Sequence, residues 1–568
     1  MNINYCKPKM IDLAGLENSP IVINEQISYN PYNILNLQLY NPIYNRLFEM
    51  NENNFSRVAL DHPHHMYNLH SVTDSNQMNL VNKPVFVKFS PLLDPYRYMV
   101  GKYDVNDAKI RTMPRYDSTE ETVVSKILNS NNASYVDSFF NYLSCMMIHK
   151  HNFIHGVDFY GSYLGIQEKH RVCITDDLEF LKNSTFFNDN IGKLFFVEDL
   201  DRVFDGFNDL SSSRRNKQKL VLDDGYDEVT IDCIELSGIE GGNTETSDFD
   251  TDTEVIYVKK SNSSSVSSSS SSSSNSDLNY SSDEEEEEEE ESSSEGSDQE
   301  EKEEEESSSE GSDQEEEEEE EVYGYINQFP VQMICMEKCD GTLDELFIND
   351  IINTETGASY LFQIIMILLI YQKAFHFTHN DLHTNNVMYI KTDIEFLYYK
   401  YKGKTYKVPT YGKIMKIIDF GRGIYKFKGN TFISDSFAPD GDAATQYNIE
   451  PFFNNKRPRL EPNNSFDLCR LGSSIFDFIM DIDTDVEDMD ELQKTIHRWC
   501  LDDNGKNVLY KRNGEERYPS FKLYKMIART VHNHTPELQL DEPFFDQFQS
   551  IDFQEDKCMD IDQIPCYI

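Results

Sequence analysis

Basic residues are scarce in this chain. Lys and Arg number 51 against 101 Asp and Glu, a formal charge of −50 over 568 residues. Phosphate backbones attract Lys and Arg and repel carboxylates, so the balance argues against direct nucleic-acid binding through a broad basic face, and a basic partner fits better. Paired cysteines are lacking as well. The ten cysteines form no C-x-x-C element, and the closest pair, Cys335 and Cys339, stands in an apolar run that reads as a core strand. Reduced thiols are the natural state. No run approaches the ~20 apolar residues of a membrane-spanning helix, the most hydrophobic stretch being Ile364 to Ile370. The opening Met-Asn-Ile-Asn-Tyr-Cys also lacks the charged-then-apolar order of a secretory signal. These absences lead to the expectation of an intracellular, soluble protein with no membrane span.

What is present is enough for a sizeable core: 38% hydrophobic residues, with 33 Tyr and 36 Phe. The charge is unevenly placed. Asp283 to Glu321 holds 26 acidic residues and one Lys, about half of the excess. This acidic run closes a low-complexity segment, 261–321, in which Glu-Ser-Ser-Ser-Glu-Gly-Ser-Asp-Gln-Glu-Glu occurs at 291–301 and again at 306–316. Such a composition cannot bury enough apolar surface to offset chain entropy, so disorder is expected there. The segment reads as a solvated spacer, an acceptor of phosphate on its serines, or a dock for basic proteins.

Upstream, Phe55 to Leu60, Pro84 to Phe89 and Val157 to Tyr163 read as short strands, and Ala133 to His149 carries helical spacing at Tyr135, Phe139, Tyr142, Leu143 and Met146. Downstream come a buried strand over Val331 to Met336, an apolar helix over Tyr360 to Phe375, short strands at Val387 to Ile390 and Ile414 to Ile418, and a helical face from Ser465 onward. The histidines at 62, 64, 65 and 70 are dense enough to raise a metal site. The only acids at ligand spacing are Asp61 and Asp74, so a polar loop between strands is expected, and His532 and His534 read as a helix-end loop.

Between the apolar helix and the next strand lies His379-Asn-Asp-Leu-His-Thr-Asn-Asn386, and after Ile418 comes Asp419-Phe-Gly421. A carboxylate that receives or orients a hydroxyl, with an amide and a second carboxylate able to hold a hard cation, is what phosphoryl transfer to a hydroxyl requires. Taken singly, each motif also reads as a turn or a loop cap. Taken together they resemble the H-R-D-L-x-x-x-N and D-F-G motifs of the protein kinase superfamily, and Asp467-Leu-Cys-Arg-Leu-Gly472 resembles its D-x-x-x-x-G helix. The resemblance implies Asp381 as the base or hydroxyl-orienting group, Asn386 and Asp419 as Mg²⁺ ligands, and His379 and Asp467 as supports of the loop. Val85-Phe-Val-Lys88 resembles V-A-I-K, which implies that Lys88 holds the ATP phosphates; an exposed strand-edge lysine is the alternative. Asp137 is the carboxylate best placed by chain order to pair with Lys88, with Glu120 and Glu121 as alternatives. Met336-Glu337-Lys338-Cys339 fits the hinge, where Glu337 and Cys339 would offer backbone groups to adenine and side chains would be little constrained.

The chain departs from the family in four places. No G-x-G-x-x-G precedes Lys88, and Phe55 to Lys83 contains no glycine at all. Asn380 stands where the family has Arg, so an activation-loop phosphate finds no cation there. His383 stands where many serine/threonine kinases have Lys. No A-P-E is evident, Glu450-Pro451 and Glu461-Pro462 both being candidates. His-Asn-Asp-Leu-His also resembles the H-G-D-L-H of aminoglycoside phosphotransferases. The Asp-Phe-Gly-Arg-Gly stretch, Ser434 to Thr445 and the abundance of Asn, Ile, Tyr and Phe resemble serine/threonine kinases of giant DNA viruses of the mimivirus type, which would imply the host cytoplasm or the virion.

The expected architecture is therefore α+β, a two-lobed kinase-like fold whose small lobe is split by a large disordered acidic, Ser-rich insertion. Its parts would be an N-terminal extension (1–39), the first part of the small lobe (40–165), a partly ordered insertion (166–260), the low-complexity segment (261–321), the end of the small lobe with the hinge (322–340), the large lobe (341–535) and a peripheral acidic tail (536–568). The expected activity is ATP- and Mg²⁺-dependent transfer to Ser or Thr of protein substrates, with a small-molecule kinase or a catalytically weak scaffold as rivals.

Overall fold

A computed structural model describes residues 4–6, 11–13, 16, 21–24, 27–74, 79–198, 321–480 and 485–568. The expected disorder of 261–320 and most of the insertion lie outside the described residues.

Among the described residues the chain is a mixed α and β structure, with strands throughout and more of its helix in the second half. The elements that position the site are β1 (Ile34–Gln38), β2 (His64–Asn68), β3 (Ser71–Asp74), β4 (Val85–Pro91), α1 (Ala133–His151), β5 (Phe159–Cys173), β6 (Phe195–Val197) and β7 (Tyr323–Glu337). They continue with α2 (Thr354–Phe375), β8 (Val387–Lys391), β9 (Lys413–Ile417), α3 (Phe466–Ile479) and α4 (Lys522–Thr530).

Strand β7 is the spine of a five-stranded sheet. It runs antiparallel to β5 from Phe159↔Met336 to Cys173↔Tyr323, and β1 pairs the far edge of β5. Along its other edge β7 pairs β6 over its first half and β4 over its second, in a register that sets Lys88 opposite Ile334. Ile326, Phe329, Val331, Met333, Ile334 and Cys335 are all buried, which is why so apolar a run can only be an interior strand.

Helix α1 packs against this sheet. Asn132 caps it by accepting from the Ser134 amide, and Asn152 ends it in the left-handed region at φ 53°, where Asn is tolerated. Its apolar residues are buried on more than one side: Phe140 stacks on Phe377 with centroids 4.2 Å apart and meets Phe420 at 4.7 Å, tying the helix to the segment that leads into His379 and to Asp419-Phe-Gly421. Helix α2 is the central helix of the second half. It is long and apolar enough to cross a membrane, yet 94% of its apolar window is buried inside the structure, as in the core helix of a globular protein.

Several expected boundaries move. Residues 166–173 continue β5 and 195–197 form β6, so the sheet runs past the boundary placed at 165; β1 likewise lies inside the supposed extension 1–39. Phe55 to Leu60 forms a 3-10 turn and only a two-residue strand, Ala59–Leu60. The tail 536–568 is not peripheral among its described residues. Phe545, Phe548, Met559, Ile561 and Ile564 are buried, and Cys558–Asp560 pairs in parallel with Phe396–Tyr401. Its acids hid the apolar residues that hold it down. Eight of the described cysteines, from Cys145 to Cys566, are free thiols.

Candidate active site

Two short strands set the geometry. Register Val387↔Ile417 between β8 and β9 places Asn386 beside Ile418, whose amide donates to the Asn386 carbonyl at 3.0 Å, so Asn386 and Asp419 leave the strand pair at the same end. The segment before β8 is fixed from below by α3. The fully buried Asp467 carboxylate accepts the His379 and Asn380 amides, each at 2.9 Å, one on each oxygen. The His379 ring completes the brace: its Nδ1 accepts the Asp381 amide at 3.3 Å, so its Nε2–H donates to the Ile418 carbonyl at 2.9 Å. The two motifs are thereby locked to one another and to α3.

Lys88 reaches the same place from β4. Its Nζ lies 2.7 Å from Asp137 Oδ2 and 2.7 Å from Asp419 Oδ1. Burial works against the Lys88 ammonium, but the two carboxylates outweigh it and raise its pKa above the ordinary lysine value. Asp137 is the acid brought to Lys88; Glu120 and Glu121 lie on exposed turns before α1. Its other oxygen accepts the Phe420 amide at 3.0 Å and Asn141 Nδ2 at 2.8 Å, so a nearly inaccessible carboxylate has three partners on three elements.

The Asp381 carboxylate is the convergence point of groups that the motifs did not flag. The Tyr524 hydroxyl, from α4, donates to Oδ1 at 2.7 Å while accepting from Arg470 Nε at 2.9 Å; Arg422 Nε stands 4.0 Å from Oδ2. Burial pushes the Asp381 pKa up, and Arg422, His383, Arg470 and the Tyr524 hydrogen bond more than reverse it, holding it down at about 2. Asp381 is thus an ionised acceptor across the physiological range. Asn386 Nδ2 donates to the Asp381 carbonyl at 2.9 Å and meets His383 Nε2 at 3.1 Å, which leaves the amide oxygen as the atom able to meet a cation. Asn380 and Asp419 have φ of 64° and 61°, backbone positions that few residues other than Gly, Asn and Asp adopt readily.

Asn380 is not an open, vacant version of an arginine position. It is fully buried, donates to the Arg422 carbonyl at 2.9 Å and accepts the Tyr447 hydroxyl at 2.7 Å. Arg422, next along from Gly421, supplies the nearby cation instead and is itself paired with Asp442. The hinge expectation changes too. The Glu337 side chain is firmly constrained: it accepts the Asp158 amide at 2.9 Å and the buried Lys416 ammonium at 2.5 Å. Its own amide donates to the Asp158 carbonyl at 2.9 Å. Cys339 follows with a thiol pKa pushed up to about 12 by burial and by Glu337. In place of a glycine loop, β2, β3 and Leu80–Asn82 form a small three-stranded antiparallel sheet ahead of Lys88.

Of the groups missed in the sequence, Arg422 and Arg470 sit inside quoted motifs and were legible as cations near Asp381. Tyr524 and Lys416 carry no local signal, because their partners lie 143 and 79 residues away.

No family model matches the chain. Local likeness to known proteins does exist. Over 93 residues the chain is 37% identical to the serine/threonine-protein kinase haspin of Mus musculus, covering 15% of this chain and 12% of that protein. Over 65 residues it is 40% identical to haspin of Bos taurus, covering 11% and 8%. The matches therefore span about a tenth of the curated relatives' length. They support a protein-kinase-like relationship at that coarse level.

Proposed function

We propose that this chain is an ATP-dependent serine/threonine protein kinase of two-lobed fold. One observation carries the reading: Lys88 bridges Asp137 and Asp419 at 2.7 Å each, joining a sheet lysine, a helix acid and the Asp-Phe-Gly acid beside the Asp381 segment. The local likeness to serine/threonine kinases supports the same class.

On this reading Lys88 neutralises the ATP phosphates and Asp137 keeps the lysine in place. The Asn386 amide oxygen and the part-exposed Asp419 carboxylate suit Mg²⁺, a hard cation that takes oxygen ligands. Bound Mg·ATP supplies the phosphoryl group and the charge that offsets its developing negative oxygens. Asp381, held ionised, accepts the hydrogen bond of the incoming hydroxyl. A carboxylate with a pKa near 2 is a weak base, so its larger contribution is orientation, which matters most where catalysis rests on positioning. The Glu337 carbonyl and Cys339 would meet the adenine, since the Glu337 amide is already engaged. Acceptors are proteins of the host cytoplasm or the virion, and the acidic tract 283–321 favours basic ones.

Radiolabelled ATP with a mixed protein lysate tests this. Wild type should label protein and Asp381→Ala should not. Equal labelling by both refutes the assignment, and label found only in small molecules moves the chain to the small-molecule kinases. Loss of labelled partners on deleting 261–321 would attribute partner choice to the acidic segment; unchanged partners would remove that role.

A further inference from the structure

Behind the hinge, three elements far apart in sequence bring metal-ligating side chains to one point. His64 opens β2, His149 stands in the last turn of α1, and Asp158 immediately precedes β5. One ligand atom from each lies within 4.8 Å of the other two. His64 Nδ1 is 3.2 Å from Asp158 Oδ2, and His149 Nε2 is 2.9 Å from Asp158 Oδ1. His64 Nδ1 is buried and makes no aligned hydrogen bond. Asp158 is itself 4% exposed. Further donors meet the same carboxylate: Cys145 Sγ at 3.2 Å from Oδ1 and Lys83 Nζ at 2.8 Å from Oδ2. The acid that the histidine run lacked locally is thus 94 residues downstream of His64 (158 − 64).

We propose that His64, His149 and Asp158 form a Zn²⁺ site whose fourth position is left to water. Two imidazoles and a carboxylate are a zinc donor set, and ligands at about 2.0–2.2 Å from the ion stand roughly 3.3–3.5 Å apart, so the observed group closes on it with side-chain adjustment alone. Such a set, mixing nitrogen with oxygen, favours zinc over the harder Mg²⁺ and Ca²⁺. The Lys83 ammonium now occupies the carboxylate, and a dication would displace it. The Lys83 side chain is 34% exposed and leads into solvent, so it has somewhere to go. Cys145 would remain behind the ligands, donating to the Asp158 carboxylate and fixing its orientation. The site ties β2 and the end of α1 to Asp158, whose backbone is bonded in both directions to Glu337. Zinc would therefore brace the two segments that carry Asp137 and the hinge, whether or not the chain transfers phosphate.

The test is Zn²⁺ titration of the full-length, chelator-stripped protein in excess Mg²⁺, which saturates the oxygen-only sites of the acidic tract. Co²⁺ is the spectroscopic probe. Expected are one equivalent of tight Zn²⁺ binding and visible Co²⁺ bands showing imidazole ligation, with affinity falling about 100-fold or more in His64→Ala and His149→Ala. Lys83→Met, which removes the competing cation and no ligand, should tighten binding by about tenfold. Wild-type uptake no greater than that of His64→Ala overturns the proposal. So does indifference of affinity to Lys83→Met, a result available even if His149→Ala does not fold.

Discussion

The Lys88–Asp137 pair can be tested without assuming any activity, through a double-mutant cycle of Lys88→Met and Asp137→Leu. Asp137 is 1% exposed and Lys88 26%, so the two halves of the pair are unequal. Removing the lysine strands a buried carboxylate. Such losses run to about 3–5 kcal/mol, and the Phe420 and Asn141 donors that Asp137 retains put this one near 3 kcal/mol. Removing the acid leaves Lys88 with Asp419 and partial access to water. The cost is then mainly the orphaned Phe420 amide, about 2 kcal/mol. In the double variant neither charge is buried unpaired, so its loss should be about 3 kcal/mol where simple addition gives about 5. Urea unfolding at constant m reads all four corners of the cycle. Additivity within about 0.5 kcal/mol would refute the idea that this pair is held by mutual burial.

Other expectations follow from the same contacts. Tyr524→Phe deletes a donor to Asp381 and one of the influences that depress its pKa, so on the proposed kinase reading kcat for phosphoryl transfer should fall about tenfold with KM for ATP little changed, a charge-assisted hydrogen bond contributing about 1.5 kcal/mol. An unchanged kcat would show that Tyr524 does not orient the carboxylate. Lys416→Met strands Glu337 and empties two carbonyl contacts at Ile154 and Gly156, so stability should drop by about 3 kcal/mol or more, seen as a lower Tm. His155 is buried as the neutral ring, donating to the Met415 carbonyl and accepting from the Tyr399 hydroxyl; burial lowers its pKa from 6.5 to about 3. The unfolded chain takes up a proton below 6.5 that the folded chain refuses, so stability should decline as pH falls from 6.5 toward 3. The loss from this residue would reach about 3 kcal/mol by pH 4. His155→Gln should flatten that decline in urea midpoints measured against pH, and an unaltered slope would place the acid sensitivity elsewhere.

The readable part of this site was the part written in contiguous residues. Asp381, Asn386 and Asp419 fall in motifs whose spacing reflects one turn and one strand end, and Asp137 was singled out by its position on the helix after Lys88. What could not be read was whatever depends on pairing between distant segments. Tyr524 looks like any aromatic on an amphipathic helix until α4 is packed under Asp381. His64 shows only neighbouring histidines until β2 is laid beside α1. The strand register that carries β5 past residue 165 was likewise invisible, because Gln167, Glu168 and Lys169 interrupt the apolar pattern and Gln167 is buried by bonding to the Pro31 carbonyl. The tail shows the converse error: abundant acids suggested a peripheral segment, while a few aromatics decided its packing.

The pairing of Cys173 with Tyr323, and the Glu198 amide donating to the Tyr323 carbonyl at 3.0 Å, has a consequence for how the gene can change. The chain leaves the sheet at residue 198 and re-enters it alongside, so the points of departure and return are neighbours whatever the length between them. The entropy cost of joining two fixed points rises by only about 0.6 kcal/mol for each doubling of the number of residues between them. Repeats such as the two eleven-residue copies at 291–301 and 306–316 can therefore accumulate or be lost there with little penalty to the sheet that carries Lys88. The same doorway offers a place to splice in a reporter domain, or to bridge 198 to 321 with a short linker.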